Sequence, residues 1–195
     1  MLVRDVMTVD PITVTPDTGV KCALQRLAHL GVTALPVVDP QQQLCGILSE
    51  ADLIHDAVGA DPRAHERPII MQPLTAAQTV EDVYTHFPIA VRPEDDVATA
   101  VDVMSSKGFK SLPVVDDQRR LVGIVSRSDV VRALARDDKL IAQDIERVFA
   151  DLGHSDWRVA VIDGVVEISG PDAVHHSIAH TIARTIPGVV RVQIH

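Results

Sequence analysis

The chain has 195 residues, of which 46% are hydrophobic and 23% are charged, as in an ordinary globular protein. Its formal net charge is −9 at pH 7, which argues against a nucleic-acid-binding protein, because such proteins bind phosphate mainly through cationic side chains. The first residues do not form a signal peptide, and no apolar stretch approaches the ~20 residues that span a bilayer, so we expect a cytoplasmic protein without membrane contact.

An internal repeat organises most of the sequence. A shift of 77 residues aligns the chain with itself without a gap, and 22 of the 52 positions from 3 to 54 are then identical. Asp52, for example, falls on Asp129. The alignment predicts a first copy at residues 1–58 and a second copy at 81–137. Residues 59–80 between them, which contain Pro and Gly, are predicted to form a linker.

Each copy predicts the order strand, helix, strand, strand, helix. The first copy begins with a strand at 11–14, and a helix follows whose apolar residues from Val20 to Ala28 recur at helical spacing. The runs 35–39 and 44–48 predict two further strands, and Ser49 opens the second helix. The fold class is therefore α/β (α+β), with two βαββα repeats that form a pseudo-two-fold pair with clefts between them.

Beyond the second copy, residues 138–195 predict a third domain with the order αββαβ. Two β-branched runs flank Asp163-Gly164, which is a strong signal for a two-residue hairpin turn. Pro171 suits the first turn of a helix. That helix is predicted by the apolar stripe of Val174, Ile178 and Ile182, and a final strand is expected at 189–194.

Both copies contain Ser-x-x-Asp where their last helix begins, as Ser49 with Asp52 and as Ser126 with Asp129. Such a pair can form a capping box, which only satisfies the free N–H groups of the helix. The same groups can also bind a nucleotide, because a helix N-terminus favours phosphate and a carboxylate accepts hydrogen bonds from ribose hydroxyls. Taken alone, the residues leave both interpretations open.

An apolar pocket for a base is expected beside each pair. Gly46 and Gly123 would let a base approach the backbone. The walls are expected to come from the same copy as the Ser and Asp, namely Ile12, Val14, Leu35 and Pro36 in the first copy, and Ile89, Val91, Leu112 and Pro113 in the second.

The repeat resembles the tandem cystathionine-β-synthase (CBS) domain pair, also called a Bateman module, over residues 2–135. The matching segments are Val-Arg-Asp-Val-Met-Thr at 3–8 and, in both copies, Leu-Pro-Val-Val-Asp and Gly-Ile-x-Ser-x-x-Asp. The resemblance implies modules that dimerise and bind AMP, ADP, ATP or S-adenosylmethionine. Carried over by position, the implied contacts are Asp52 and Asp129 for ribose, Ser49 and Ser126 for phosphate, and the backbone of Thr13-Val14 or Ala90-Val91 for adenine.

Charge distinguishes the two copies. Residues 107–136 contain seven basic and three acidic residues, whereas the matching residues 30–59 contain four acidic residues and no Lys or Arg. In the resembling family the two positions before Leu-Pro often present a basic residue to phosphate, and they are Lys110-Ser111 in the second copy but Thr33-Ala34 in the first. We hypothesise that the Asp129 site, with Lys110 and Arg127, binds a phosphorylated ligand and that the other site is weaker. The alternative is a solvated basic face.

Two aromatic residues lie beside the expected base pocket of the second copy. Tyr84 stands where the first copy has Met7, and Phe87 follows three residues later. Both are interpreted either as ordinary packing or as stacking partners for adenine.

Residues 138–195 resemble the BON domain, through the segment 163–170 and through Ile-Pro-Gly-Val at 186–189. The resemblance implies contact with membranes, phospholipids or protein partners, and a protein-interaction or output role is favoured here. His176 and His180 have the spacing of a two-His zinc motif, but no Glu follows the first His, so no metal site is expected.

Together these features predict a regulatory protein that senses an adenosyl ligand through the CBS pair and transmits its state through the BON domain. It is predicted not to be an enzyme and to require no cofactor, because no nucleophile–base pair or Gly-rich phosphate loop occurs outside the repeat. A homodimer is expected from the family, with a protein partner at the BON domain. The alternatives are a dimeric scaffold that binds no nucleotide and a membrane-associated protein.

Overall fold

The computed structural model describes residues 1–57 and 78–195, so most of the predicted linker at 59–80 lies outside the described residues. The α-helices are α1 (Val20–Leu30), α2 (Glu50–Ala57), α3 (Val97–Lys107), α4 (Arg127–Leu134), α5 (Asp138–Asp151) and α6 (His176–Thr185). The strands are β1 (Thr8–Val9), β2 (Ala34–Val38), β3 (Leu44–Ser49), β4 (Thr85–His86), β5 (Ser111–Val115), β6 (Leu121–Ser126), β7 (Arg158–Ile162), β8 (Val165–Ser169) and β9 (Arg191–Ile194). The mixed α+β fold and the βαββα order are those predicted.

The first strand of the first repeat lies earlier than predicted. The regular strand is β1, whereas residues 11–14 form no regular strand. Asp10 has a φ of +49°, which turns the chain after β1, and Pro11 has no N–H to donate. Val14 forms only an isolated parallel bridge, in which its N–H donates to the Pro36 carbonyl at 3.1 Å and its own carbonyl accepts from Val38 at 3.0 Å.

The two repeats exchange their short first strands. β1 of the first repeat pairs antiparallel with β6 of the second, with Val9 opposite Gly123. β4 of the second repeat pairs in the same way with β3 of the first, with His86 opposite Gly46. The sheets have the orders β1-β6-β5 and β2-β3-β4, so each repeat completes the sheet of the other.

The chain packs as two compact units, neither of which coincides with one repeat. Unit 1 comprises Met1–Met7, Pro93–Lys107 and Val125–His195, and unit 2 comprises Thr8–Arg92 and Gly108–Ile124. In unit 2, every residue of β2 is buried, so both faces of this strand are covered, while β3 pairs with one of its edges and Val14 bridges to the other. The apolar run of β2 therefore reflects burial on both faces. The division of the chain into residues 1–58, 81–137 and 138–195 stays a prediction.

The last 58 residues, in unit 1, have the predicted order, α5-β7-β8-α6-β9. The predicted hairpin turn is confirmed, since Asp163 and Gly164 both have positive φ, at +50° and +71°, as a two-residue type I′ turn requires. The Asp138 carboxylate fixes this turn by accepting hydrogen bonds from the N–H groups of Asp163 at 2.8 Å and Gly164 at 2.9 Å. β7 and β8 are antiparallel, and β9 adds to β8 in parallel.

The predicted apolar stripe of α6 is wrong in part. The helix begins at His176, five residues after Pro171, and Val174 precedes it with 79% of its surface exposed. The fully buried residues of the helix are Ala179 and Ala183, and the predicted Ile182 packs half-buried against the same core. Small side chains at this interface let the helix approach the strands closely, and the pattern of large residues does not reveal them.

The residues that follow α4 are joined closely to the C-terminal elements of the same unit. The Arg136 guanidinium donates to the Asp144 carboxylate at 2.6 Å and to the Pro187 carbonyl at 3.1 Å. A Cβ atom on Gly188 would lie 2.6 Å from the Ile141 side chain and 3.2 Å from the Ala133 carbonyl, so the glycine permits this close approach. None of the helices in residues 1–57 and 78–195 is both long and apolar enough to cross a bilayer.

Candidate ligand-binding site

Unit 2 contains a cavity of about 380 Å³, within the size range of small-molecule sites. It lies where α2 of the first repeat begins, and the opposite wall comes from the second repeat. The lining residues from the first repeat are Thr33, Ala34, Ile47 and Ser49 to Asp52. Those from the second repeat are Thr85, Phe87 to Ile89 and Gly108 to Pro113.

Ser49 and Asp52 form a capping box at one side of this cavity. Oδ2 of Asp52 accepts hydrogen bonds from the N–H and the hydroxyl of Ser49, both at 2.7 Å. Among the described residues, the second oxygen, Oδ1, has no hydrogen-bond partner. Capping and ligand binding therefore do not exclude each other at this pair, because one carboxylate oxygen closes the box and no described residue bonds the other.

Lys110 brings a cation to the edge of the same cavity. Its ammonium lies 2.8 Å from the Glu50 carboxylate, and the two side chains are 63% and 39% exposed. We expected Lys110 beside Asp129, in the site of its own repeat. The structure places it in the cavity of Ser49 and Asp52, because the second repeat supplies the far wall of that cavity.

The apolar wall is also contributed largely by the second repeat. Ile89, Leu112 and Pro113 line it, as do Phe87 and Phe109. Phe87 is 88% exposed and has a φ of +49°, a left-handed conformation that is uncommon for a bulky residue. The chain therefore holds an exposed aromatic ring at this cavity in an unfavourable backbone conformation.

The second Ser–Asp pair, in unit 1, has more hydrogen-bond partners within the protein than the first. Oδ2 of Asp129 accepts from the N–H of Ser126 at 2.8 Å and from its hydroxyl at 2.6 Å, while Oδ1 accepts from Arg132 at 2.9 Å. Arg127, expected to face phosphate, instead donates to the Met104 carbonyl at 2.8 Å. Both carboxylate oxygens of Asp129 and one guanidinium nitrogen of Arg127 thus have protein partners.

Several residues expected to contact the base have other roles. Val14 and Leu35 belong to the buried core of unit 2, and the N–H and carbonyl of Val14 are bonded to β2. Val91 repeats this arrangement, because its N–H donates to Pro113 at 3.0 Å and its carbonyl accepts from Val115 at 2.9 Å. Strand pairing therefore occupies the backbone groups of Val14 and Val91, two of the four residues whose backbone was expected to contact adenine.

Four further residues that were predicted to lie beside the base do not line the cavity. The Thr13 carbonyl accepts from the Arg26 guanidinium at 2.7 Å. Pro36 is buried within β2, and Ala90 is half-buried. None of Ile12, Thr13, Pro36 and Ala90 belongs to the described lining, so the expected walls of the first-repeat pocket are replaced by those of the second repeat.

Gly46 accommodates a side chain of the protein and is not among the cavity-lining residues. A Cβ atom at this position would lie 2.2 Å from the Tyr84 ring and 2.5 Å from the Thr85 carbonyl. Tyr84 is only 8% exposed and belongs to the core of unit 2. Burial, and then the charge of Glu81, raise the pKa of its hydroxyl above the ordinary value. Of the two aromatic residues singled out in the sequence, Tyr84 packs in the core of unit 2 and Phe87 lines the cavity.

Most of the lining residues were not predicted as ligand contacts, among them Ser111, Phe109 and Glu50. All three occupy positions where the two repeats differ, since Ser111 aligns with Ala34, Phe109 with Val32 and Glu50 with Arg127. That difference is the signal that could have identified them. Within the described ranges, no cluster of three or more His, Cys, Asp or Glu side chains could hold a metal ion.

Comparison with protein families gives a match over both repeats. The model of the CBS domain family matches residues 3–59 and 80–136. The chloroplastic CBS domain-containing protein CBSX2 of Arabidopsis thaliana is 33% identical over 135 residues, which are 62% of this chain and 57% of that protein. The protein MJ0188 of Methanocaldococcus jannaschii is 30% identical over 156 residues, 78% of this chain and 52% of that protein. The chain thus spans little more than half the length of these two relatives.

Solved structures give the same match. The CBS domain pair of protein MJ0100, in complex with 5′-methylthioadenosine and S-adenosyl-L-methionine, has a TM-score of 0.56 and 27% identity. CBSX2 in complex with AMP has a TM-score of 0.54 and 30% identity. Each comparison covers 68% of this chain and 94% of the solved chain.

Proposed function

Because the chain belongs to the CBS domain family, we propose that it is a regulatory protein that binds an adenosine-containing ligand in the cavity at Ser49 and Asp52. One observation supports this most directly. A single cavity combines a carboxylate oxygen that has no hydrogen-bond partner among the described residues, the exposed cation of Lys110 and an extended apolar wall. These are the three kinds of group that a sugar, a phosphate and a base require.

Each part of the ligand has a proposed contact. Oδ1 of Asp52 accepts hydrogen bonds from ribose hydroxyls, while Oδ2 keeps the capping box closed. Phosphate lies near the N-terminus of α2 and near Lys110, where the helix dipole and the ammonium both favour an anion. The base lies against the apolar wall, with Ile89 and Pro113 among its contacts.

The ligands of two related structures support the adenosyl class. The CBS pair of MJ0100 was solved with 5′-methylthioadenosine and S-adenosyl-L-methionine, and CBSX2 was solved with AMP. We propose that AMP, ADP, ATP or S-adenosylmethionine is the regulatory ligand here, that the chain needs no cofactor, and that it is not itself an enzyme.

We propose that the C-terminal αββαβ elements, which resemble a BON domain, transmit the ligand state to a protein partner. The support lies within unit 1, where α4 begins at Ser126 and Asp129, and Arg136 beyond its end binds Asp144 and the Pro187 carbonyl. Ser126 and Asp129 are proposed as a second ligand position, and the protein as a homodimer through its CBS pair. The closed capping box and the Arg132 ion pair at Asp129 favour the scaffold alternative for that position.

The experiment is calorimetric titration of the full chain with AMP, ATP and S-adenosylmethionine, in the wild type and in two matched variants, Asp52→Asn and Asp129→Asn. We expect Asp52→Asn to weaken binding about tenfold or more, because a bond to a charged acceptor is lost, and Asp129→Asn to have little effect on the same site. Wild-type protein that binds none of the compounds at millimolar concentration would favour the scaffold. Loss of binding only in Asp129→Asn would assign the ligand to the second pair.

A further inference from the structure

The hydroxyl of Ser111 is buried in the cavity and has no partner among the described residues. Ser111 is 6% exposed and lines the cavity, and its Oγ forms no hydrogen bond with any described residue. Among the described residues it is the one buried side-chain nitrogen or oxygen atom in this condition. Buried hydroxyl groups in folded proteins nearly always have a partner, because an unmade hydrogen bond destabilises the folded state.

The fold does not require a hydroxyl at this position. Ala34 occupies the equivalent position in the first repeat, lines the same cavity and is 8% exposed. β2 begins with Ala34 and β5 with Ser111, so the strand does not need a hydroxyl at its first residue. A hydroxyl that the fold does not use, and that lines a cavity, suits a ligand atom.

The surroundings of Ser111 indicate which part of a ligand it meets. The residues that follow it in the cavity wall, Leu112 and Pro113, are apolar and buried. The charged groups of the cavity are elsewhere: the Lys110 side chain is 63% exposed and paired with Glu50, and Asp52 belongs to the capping box at the start of α2. A sugar and a phosphate suit those charged groups, whereas a planar heterocycle suits a buried apolar wall that contains one hydroxyl.

We propose that the Ser111 hydroxyl hydrogen-bonds the edge of the ligand's base and so selects a nitrogen heterocycle over an apolar group of the same size. The hydroxyl can donate to a ring nitrogen or accept from an exocyclic amino group. This inference rests on the proposed function, since it concerns the same cavity.

The test uses the full chain and the substitution Ser111→Ala, which reproduces the residue of the first repeat. We expect AMP to bind about 5- to 50-fold more weakly by calorimetry, because a polar edge of the base loses its partner in a buried site. The melting temperature without ligand should rise by roughly 2–4 °C, because an unsatisfied hydroxyl is removed. The exposed Ser105 of α3 provides the control for binding, and Ser105→Ala should leave the AMP affinity unchanged.

Base analogues of AMP identify the contact. For an analogue that lacks the contacted atom, such as the monophosphate of purine riboside or of a deazaadenosine, wild type and Ser111→Ala should bind equally. If only a 2′-deoxy or 3′-deoxy analogue removes the difference, Ser111 contacts the sugar and the assignment to the base is wrong.

The outcomes separate this inference from the function on which it rests. If wild type binds AMP and Ser111→Ala binds it with unchanged affinity, the Ser111 contact is refuted and the proposed function stands. If wild type binds neither AMP nor any of the other adenosyl compounds, both are refuted.

Discussion

The Nζ atom of Lys110 lies 2.8 Å from Oε2 of Glu50, so a cation of the second repeat and an acid of the first repeat meet at the edge of one cavity. Both side chains are more than a third exposed, and an ion pair of this kind contributes at most about 1 kcal/mol to stability. A phosphate that approaches Lys110 therefore has to compete with the Glu50 carboxylate, and it meets repulsion from that group as well.

We predict that Glu50→Gln will strengthen AMP binding about three- to tenfold, because the competing negative charge is removed. Lys110→Ala should weaken AMP binding by a similar factor, and neither substitution should alter the affinity for adenosine. Titrations at low and high salt are the measurement, since the effects on AMP should shrink as salt screens the charges. Equal effects on AMP and adenosine would show that Lys110 does not contact the phosphate.

We predict that Phe87→Asn will stabilise the free protein and weaken ligand binding. Asn adopts positive φ more readily than Phe, and the substitution also removes an 88% exposed ring. The free energy of unfolding should rise by about 0.5–1 kcal/mol, and AMP affinity should fall about three- to tenfold with the loss of ring contacts.

Asp10→Asn is the control for Phe87→Asn, because Asp10 has the same φ at the equivalent position of the first repeat and is not among the cavity residues. Urea denaturation and calorimetry measure the two quantities. Unchanged AMP affinity in Phe87→Asn would mean that the ring has no role in binding.

We predict that Gly46→Ala will destabilise the protein by about 2–3 kcal/mol, since its Cβ would overlap both the Tyr84 ring and the Thr85 carbonyl. Because one of these atoms belongs to the backbone, replacing Tyr84 with a smaller residue should recover only part of the loss. Gly19→Ala is the matched control, because its Cβ would have ordinary contact, 3.8 Å from the Gln78 carbonyl. Chemical denaturation gives the comparison, and equal stabilities of the two variants would contradict the packing described for Tyr84.

A prediction about pH concerns Asp144. The hydrogen bond and charge of Arg136, with a further contribution from Arg147, lower the pKa of the Asp144 carboxyl. A carboxyl whose pKa is lower in the folded state stabilises the protein above its unfolded pKa of about 4, and this contribution is lost as pH falls through the folded value. Arg136→Gln should therefore reduce the free energy of unfolding by about 1 kcal/mol at pH 7 and by less near pH 3.

Urea denaturation at both pH values tests this prediction. Arg147→Gln is the control, because Arg147 is 69% exposed and its effect should be smaller. A loss of equal size at pH 7 and pH 3 would mean that Arg136 acts only through its hydrogen bond to the Pro187 carbonyl, which does not titrate.

Local patterns in the sequence predicted the elements whose partners are close along the chain. The turn at Asp163-Gly164 was predicted because two residues with positive φ suffice to set a hairpin. The first strand was misplaced because β1 has its partner more than 110 residues away, at Gly123 and Ile124, and periodicity within one repeat contains no information about it. The start of α6 was missed because alanines, and not the large residues, form its buried face.

The candidate site follows the same rule. Ser49 and Asp52 were identifiable because a Ser at a helix start with an acid three residues later defines a capping box. The sequence did not predict that they group with Lys110 and Pro113, because that grouping depends on how the two repeats pack against each other. The useful signal lay in the differences between aligned positions: Ser111 against Ala34, and Phe87 against Asp10, both change the chemistry of a residue whose place in the fold is kept.

The reciprocal strands β1 and β4 bear on how such a chain could have arisen by gene duplication. A polypeptide with one repeat would lack the strand that lies beside Gly46 or Gly123, and would expose an unpaired edge there. In a dimer of two such chains, the first strand of each chain would pair with the exposed edge of the other. Pairing of this kind would favour dimerisation of an ancestor with one repeat. Fusion into one reading frame then replaced an encounter between molecules by an intramolecular one, at a much higher effective concentration.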